Sequence, residues 1–200
     1  HDSGGRLMSS IKLKGSSSGD VTITVPAAAG TNTVTIPAVT GNVITNKTAG
    51  TIIQVVNVQT TAVATGTTIF PADDTIPQKT EGDEYMTLAI TPTNASNKLR
   101  IFSTFYCSHS EASSVMSAGL FQDDTAATLN AVMGGRSVGA GRPATMVLDH
   151  YMTAGTTSAT TFKIRAGNPT SGTTTFNGLG TNRFFGGLGT ASITITEIAV

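Results

Sequence analysis

Threonine alternates with isoleucine or valine at several points in the chain, and this period of two constrains the fold more than any other feature. It is plainest in Thr22-Ile23-Thr24-Val25, in Thr33-Val34-Thr35-Ile36 and in Ser192-Ile193-Thr194-Ile195-Thr196-Glu197-Ile198. Successive side chains of an extended chain point to opposite faces, so such a run buries one face and wets the other. β-Branched residues are stiff at χ1 and pack well on a pleated surface. Threonine fills 36 of the 200 positions, and glycine, which supplies turns, another 22. Residues 51–58, 86–91, 98–108, 115–122, 145–152, 160–166 and 191–200 read as strands, separated by loops rich in Gly, Asp, Asn and Ser. About eight strands over about 150 residues, without a helical period, predict an all-β sandwich or jelly roll.

Charge narrows the setting. Only 12% of residues are charged, against roughly 25% in ordinary soluble domains. Net charge is zero and 38% of residues are hydrophobic, which favours a folded chain over disorder. Sheet edges with so little charge are prone to aggregate, so copies are expected to cover one another. Twelve basic residues balance twelve acidic ones, with no basic run, which argues against nucleic acid as a partner. The uncharged stretches 21–46 and 48–72 are interrupted by Pro and loaded with Thr, so neither reads as a membrane span. The single Cys107 excludes an intrachain disulfide framework. No secretory-signal pattern is visible at the start, and residues 1–7 read as an expression remnant or linker, which would make Met8 the native start.

The N-terminal part carries a short repeat. Thr22-Ile-Thr-Val-Pro-Ala27 with Gly30 recurs as Thr33-Val-Thr-Ile-Pro-Ala38 with Gly41. Proline ends each strand and glycine closes a turn. Two copies cannot bury a face alone, so partner strands are expected from other chains or from a larger particle. The reading of the chain is a tail at 1–14, a Thr/Pro/Gly-repeat β stem or attachment segment at 15–49, and a head domain at 50–200.

A family resemblance follows from these segments. Gly50-Thr-Ile-Ile-Gln-Val-Val56 resembles the GTVLQVV opening of a C-terminal module in fibre and virion structural proteins of tailed phages, cyanophages and marine phages among them. Leu88-Ala-Ile-Thr-Pro-Thr-Asn-Ala-Ser-Asn-Lys-Leu99 is similar to its I-T-P hairpin. Ala118-Gly-Leu-Phe-Gln-Asp123 resembles its A-x-L-x-R-D strand, with Gln122 at the usual basic position. Thr156–Ile164 and Ser192–Ile198 are the nearest matches. The resemblance implies an antiparallel jelly-roll head on a stem, three copies per fibre, and a place on the virion at tail or capsid surface. It implies no catalytic activity and no cofactor.

Cys107, His109 and Glu111 fall two apart and would share a strand face, but no second ligand pair at metal spacing accompanies them, and packing is the favoured role. The acidic pairs Asp73-Asp74, Asp83-Glu84 and Asp123-Asp124 lack the alternating oxygens of a calcium loop. Gly134–Pro143 lacks the G-K-[ST] end of a phosphate loop and reads as a surface loop. Asn177–Gly189 holds Arg183, Phe184 and Phe185 among glycines, as a contact loop requires, and burial is favoured for at least one of the two rings. Recognition concentrates in loops, so Arg136, Arg142, Asn168, Phe176, Asn177 and Arg183 are the candidate receptor-binding residues.

The expectation is therefore a non-enzymatic homotrimeric phage fibre for host attachment, with other virion proteins bound through its N-terminal segment and a host saccharide or protein as receptor. Two alternatives stand beside it. One is a capsid head-fibre or decoration protein. The other, disfavoured by the absence of Trp, is a lectin-like or carbohydrate-active domain.

Overall fold

The structure, a computed structural model, describes residues 10–14, 18–24, 49–112, 115–134 and 142–200. It divides into two compact units, His1–Asn42 and Val43–Val200. In the first, β1 (Ser10–Lys14) pairs antiparallel with β2 (Asp20–Thr24), Ser10 opposite Thr24 and Lys14 opposite Asp20. The first repeat strand thus meets a partner strand in its own chain. The second copy of the repeat, 33–38, lies outside the described residues.

The second unit contains β3 (Ile52–Thr60), β4 (Ala64–Gly66), β5 (Asp83–Ile90), β6 (Lys98–His109), β7 (Ser117–Gln122), β8 (Asn130–Met133), β9 (Ala144–Thr153), β10 (Thr160–Gly167), β11 (Thr174–Phe176) and β12 (Ala191–Ile198), with a 3₁₀ turn at Phe185–Gly187. One sheet runs β3-β12-β6-β9, and β11 and β4 extend it beside the far end of β6. The other runs β5-β10-β7-β8. Every pairing is antiparallel. Two antiparallel sheets with this interleaved strand order pack as a jelly-roll-like sandwich. The predicted fold class holds.

Alternation sets the core. On β6 the residues Leu99, Ile101, Ser103, Phe105 and Cys107 are buried, while Arg100, Phe102, Thr104 and Tyr106 face out. On β12 Ile193 and Ile195 are buried and the threonines between them are not. The opposite sheet supplies Met86, Ile90, Leu120, Phe162 and Ile164. Each such apolar side chain contributes about 1.5–3 kcal/mol on burial.

Part of the outer side of the β5-β10-β7-β8 sheet is covered by the chain itself, while Thr87 and Ala89 on β5 stay exposed. Residues 67–82 fold across it, held by Phe70 N–H to the Asn168 carbonyl (3.0 Å), Thr128 N–H to the Pro77 carbonyl (2.9 Å) and Gly82 N–H to the Ile69 carbonyl (2.9 Å). Phe70 is buried where three glycines leave room: a Cβ on Gly82 would lie 2.7 Å from its ring, on Gly167 2.8 Å from its Cβ and on Gly119 3.1 Å from its ring.

Glu197 breaks the apolar rhythm of β12. It is fully buried, yet Gln54 Nε2 (2.6 Å), Asn97 Nδ2 (2.6 Å), Thr93 N (2.9 Å) and Thr93 Oγ1 (2.8 Å) all donate to its carboxylate. Four donors tie the 92–97 turn to β3 and β12. Burial pushes this carboxyl up, but the donors from Gln54, Asn97 and Thr93 outweigh it and hold the group below its ordinary value of 4.5. A carboxyl held low in the folded state adds stability above its unfolded value and loses it as pH falls through the folded one. Urea midpoints should therefore drop steadily below the ordinary glutamate range. Glu197→Gln should flatten that acid limb and cost about 2 kcal/mol at neutral pH, because an amide places N–H groups against existing donors.

Candidate functional site

β4 and β11 are three-residue strands that pair with each other and prolong the sheet past the end of β12. Their pairing gathers the loops 61–63, 109–112, 168–173 and 177–190 at one end of the sandwich. Two clefts open there. One, of about 740 Å³, lies between residues 59–63 and Thr181, Asn182 and Arg183. The other, of about 540 Å³, is bounded by Ser108, His109, Ser110, Thr173, Thr175 and Thr181 among others. Thr181 borders both. Hydroxyls, amides and the Arg183 guanidinium dominate the larger cleft, whereas the smaller is mainly apolar, with Leu179 and Gly180 beside its hydroxyls and His109.

The ionisable groups here are quiet. His109 is buried, and its Nδ1 accepts the backbone N–H of Glu111 at 3.2 Å, which assigns the ring proton to Nε2. Burial lowers its pKa against a weaker upward pull from Glu111, so the ring is neutral at neutral pH. Cys107 points inward beside it in the strand, with its thiol pushed far up by burial, and Glu111 lies past the strand end, exposed. No cluster of three His, Cys, Asp or Glu side chains suited to a metal occurs among the described residues.

The acidic pairs fix turns. Asp73 accepts from the Thr75 N–H and hydroxyl (2.9 and 2.5 Å), and Asp83 from those of Thr68 (2.9 and 2.7 Å). Asp123, at φ 51°, accepts from Thr160 and Thr161, while Asp124 pairs with Lys79 at 2.5 Å.

Of the six candidate contact residues, the structure brings one into the clefts. Arg183 is exposed and forms part of the larger cleft. Arg142 is exposed at the start of β9 and borders neither cleft. Arg136 lies outside the described residues. The other three sit in the interior, which corrects their reading as surface contacts. Asn168 donates from Nδ2 to the Val115 carbonyl (2.7 Å) and accepts at Oδ1 from the N–H and hydroxyl of Thr170 (2.9 and 2.7 Å). Phe176 stacks on Tyr85, centroids 4.9 Å apart and planes 6° apart, and tilts against Phe105. Asn177 adopts φ 55°, donates its N–H to the Tyr106 carbonyl (2.8 Å) and its Nδ2 to the Thr60 carbonyl (3.1 Å). Asparagine tolerates that left-handed backbone and bonds its own neighbourhood, which is why it belongs to the frame of the loop. Phe184 is half-buried with its ring 5.9 Å from that of Tyr106, and Phe185, at φ 53°, is exposed.

Sequence reasoning placed Thr181 and Asn182 in its contact loop but missed residues 59–63. Only the β4–β11 pairing joins them, and strands of three residues carry too little alternation to be seen.

No protein-family model matches the sequence, and no curated protein does either. Among solved structures the chain is similar to the Eiger TNF of S. frugiperda at 12% identity, with a TM-score of 0.38 over 72% of this chain and 93% of that one. It is also similar to the VP2 subviral particle of infectious bursal disease virus, at 13% identity and TM-score 0.35, over 82% and 42%. Tailspike protein 4 of bacteriophage CBA120 gives 13%, 0.27, 66% and 20%. These superpositions are too loose to carry an argument about function.

The positions separate into frame and surface. Asn168→Ala and Asn177→Ala should each lower stability by about 1–3 kcal/mol, the price of a buried carbonyl left without its donor. Arg183→Ala should leave the melting temperature unchanged. Thermal unfolding of the three variants beside the parent checks both statements.

Proposed function

We propose that the protein is a homotrimeric virion fibre of a tailed bacteriophage. In this reading the N-terminal segment fastens to other virion proteins, and the head holds a host-surface receptor at its cleft end. The observation that supports it best is the pair of adjoining clefts at one end of the jelly roll, the larger of them mainly polar and bordered by exposed Arg183. The sequence resemblance to phage fibre modules points the same way and supplies the number three.

The clefts suit holding rather than bond-breaking. Hydroxyl and amide groups around an Arg match the hydroxyls of a saccharide or the backbone of a protein loop. A glycosidase would need two carboxyl groups across the site, and the described acidic pairs are occupied in turns. Three weak sites on one head raise effective concentration without any new contact.

Two measurements on one preparation test this. Sedimentation equilibrium at micromolar concentration should give three times the chain mass of 20.4 kDa. Purified fibre should bind host cells, and Arg183→Ala, folded as the parent is, should bind about tenfold more weakly, as expected for loss of a charged hydrogen-bonding anchor. A monomer ends the trimer, and full binding by Arg183→Ala ends the cleft as the attachment site.

A further inference from the structure

The two outer faces of the sandwich are treated differently. Residues 67–82 cover part of one, with Phe70 seated among glycines and Arg165 donating to the carbonyls of Glu81 (3.1 Å) and Gly82 (2.7 Å). On the β3-β12-β6-β9 sheet no such strap exists among the described residues. Its outward positions run Gln59, Ser192, Thr104, Val147 in one cross-strand row, then Asn57, Thr194, Phe102, Asp149, then Val55, Thr196, Arg100, Tyr151.

This face is mixed, with eight of the twelve outward residues polar or charged, and three of its four apolar members are left exposed. Val55 is 54% exposed, Val147 47% and Tyr151 56%. At one end the Tyr106 ring leads to Phe184 and on to Phe185, with centroids 5.9 and 6.1 Å apart, and Phe185 and Leu188 are 80% and 83% exposed. Val55, Val147 and Tyr151 stand apart among polar residues, as exposed aliphatics commonly do, but the ring chain at the Tyr106 end is a continuous exposed apolar feature of the kind that marks a contact surface.

We propose that the outer face of the β3-β12-β6-β9 sheet, with the Phe184–Phe185 ridge, is where copies of this chain join, its occupant being a second copy of the same chain. The inference rests on the trimer reading above and names the surface that reading left open.

Charge and area select that occupant. The central charges of the face cancel within it: Arg100 grips Asp149 with Nε (2.9 Å) and Nη2 (2.6 Å) and lies 5.7 Å over the Phe102 ring. Lys98 donates to the Thr153 hydroxyl at 2.7 Å. An anionic or strongly basic partner finds little to pair with there, whereas another neutral chain does not need to. Four strands roughly 4.8 Å apart and about nine residues long give a plane of about 500–600 Å². The aromatic ridge enlarges it toward the roughly 800 Å² per partner of a standard stable interface.

The test uses the full chain and labelling by a maleimide. Cys107 is buried with its thiol pushed up, so the parent should be nearly silent. New thiols are placed by Val147→Cys and Tyr151→Cys on the face, and by Thr87→Cys on an exposed position of the strapped sheet. In the trimer the first two should label about tenfold or more slower than the third, as protection by an interface requires. Val147→Glu should in addition raise the concentration at which trimers dissociate. A parent chain that sediments as a monomer removes the trimer itself. A trimer in which Tyr151→Cys labels as fast as Thr87→Cys keeps the oligomer and overturns this face.

Discussion

The head depends on the register of β6. This strand pairs along one side with β9 and along the other first with β12 and then with β11. Its alternation therefore decides what the whole first sheet buries. With Ile101 opposite Ile195 on one neighbour and His150 on the other, the apolar rows align; a slip of one residue would turn Arg100, Phe102 and Thr104 into the core. The Glu197 carboxylate pins the same register at its far end, since it can reach Asn97 and Thr93 only in this alignment. A buried charge with every donor in place costs little to keep and much to misplace.

Much of this architecture was legible from alternation. The runs read as strands at 98–108, 145–152, 160–166 and 191–200 correspond to β6, β9, β10 and β12 within a residue or two at most ends. The short β4, β8 and β11 were not seen, because three or four residues cannot display a period and their pairing is fixed by distant neighbours. The strap at 67–82 was invisible for another reason. Its Phe70 matters through three glycines far apart in sequence, and no local pattern links them. Glu197 shares the inward parity of Ile193 and Ile195, but the donors that satisfy it come from Gln54 and the 93–97 turn, far away in sequence.

The site was legible in part. Arg183 was placed correctly at the surface by its glycine-rich setting. Asn168, Phe176 and Asn177 were misplaced because residue type alone does not separate an asparagine that meets a ligand from one that holds a loop. Positive φ at Asn177 and the ring stack at Phe176 are properties of the folded chain. Asn168 and Asn177 thus hold loops and Phe176 packs in the interior, while Asn182 and Arg183 border the larger cleft.

The position of β12 has a consequence for biosynthesis. Residues 191–198 fill the gap between β3 and β6, and the Asn57 side chain hydrogen-bonds the backbone of Ile193, 136 residues further on. Until those residues emerge from the ribosome, β3 and β6 have no common neighbour, and both present open, weakly charged strand edges. Closure must then wait for late synthesis and pay the loop entropy of nearly the whole domain at once, which makes folding slow and places the nascent chain at the mercy of its neighbours on the polysome.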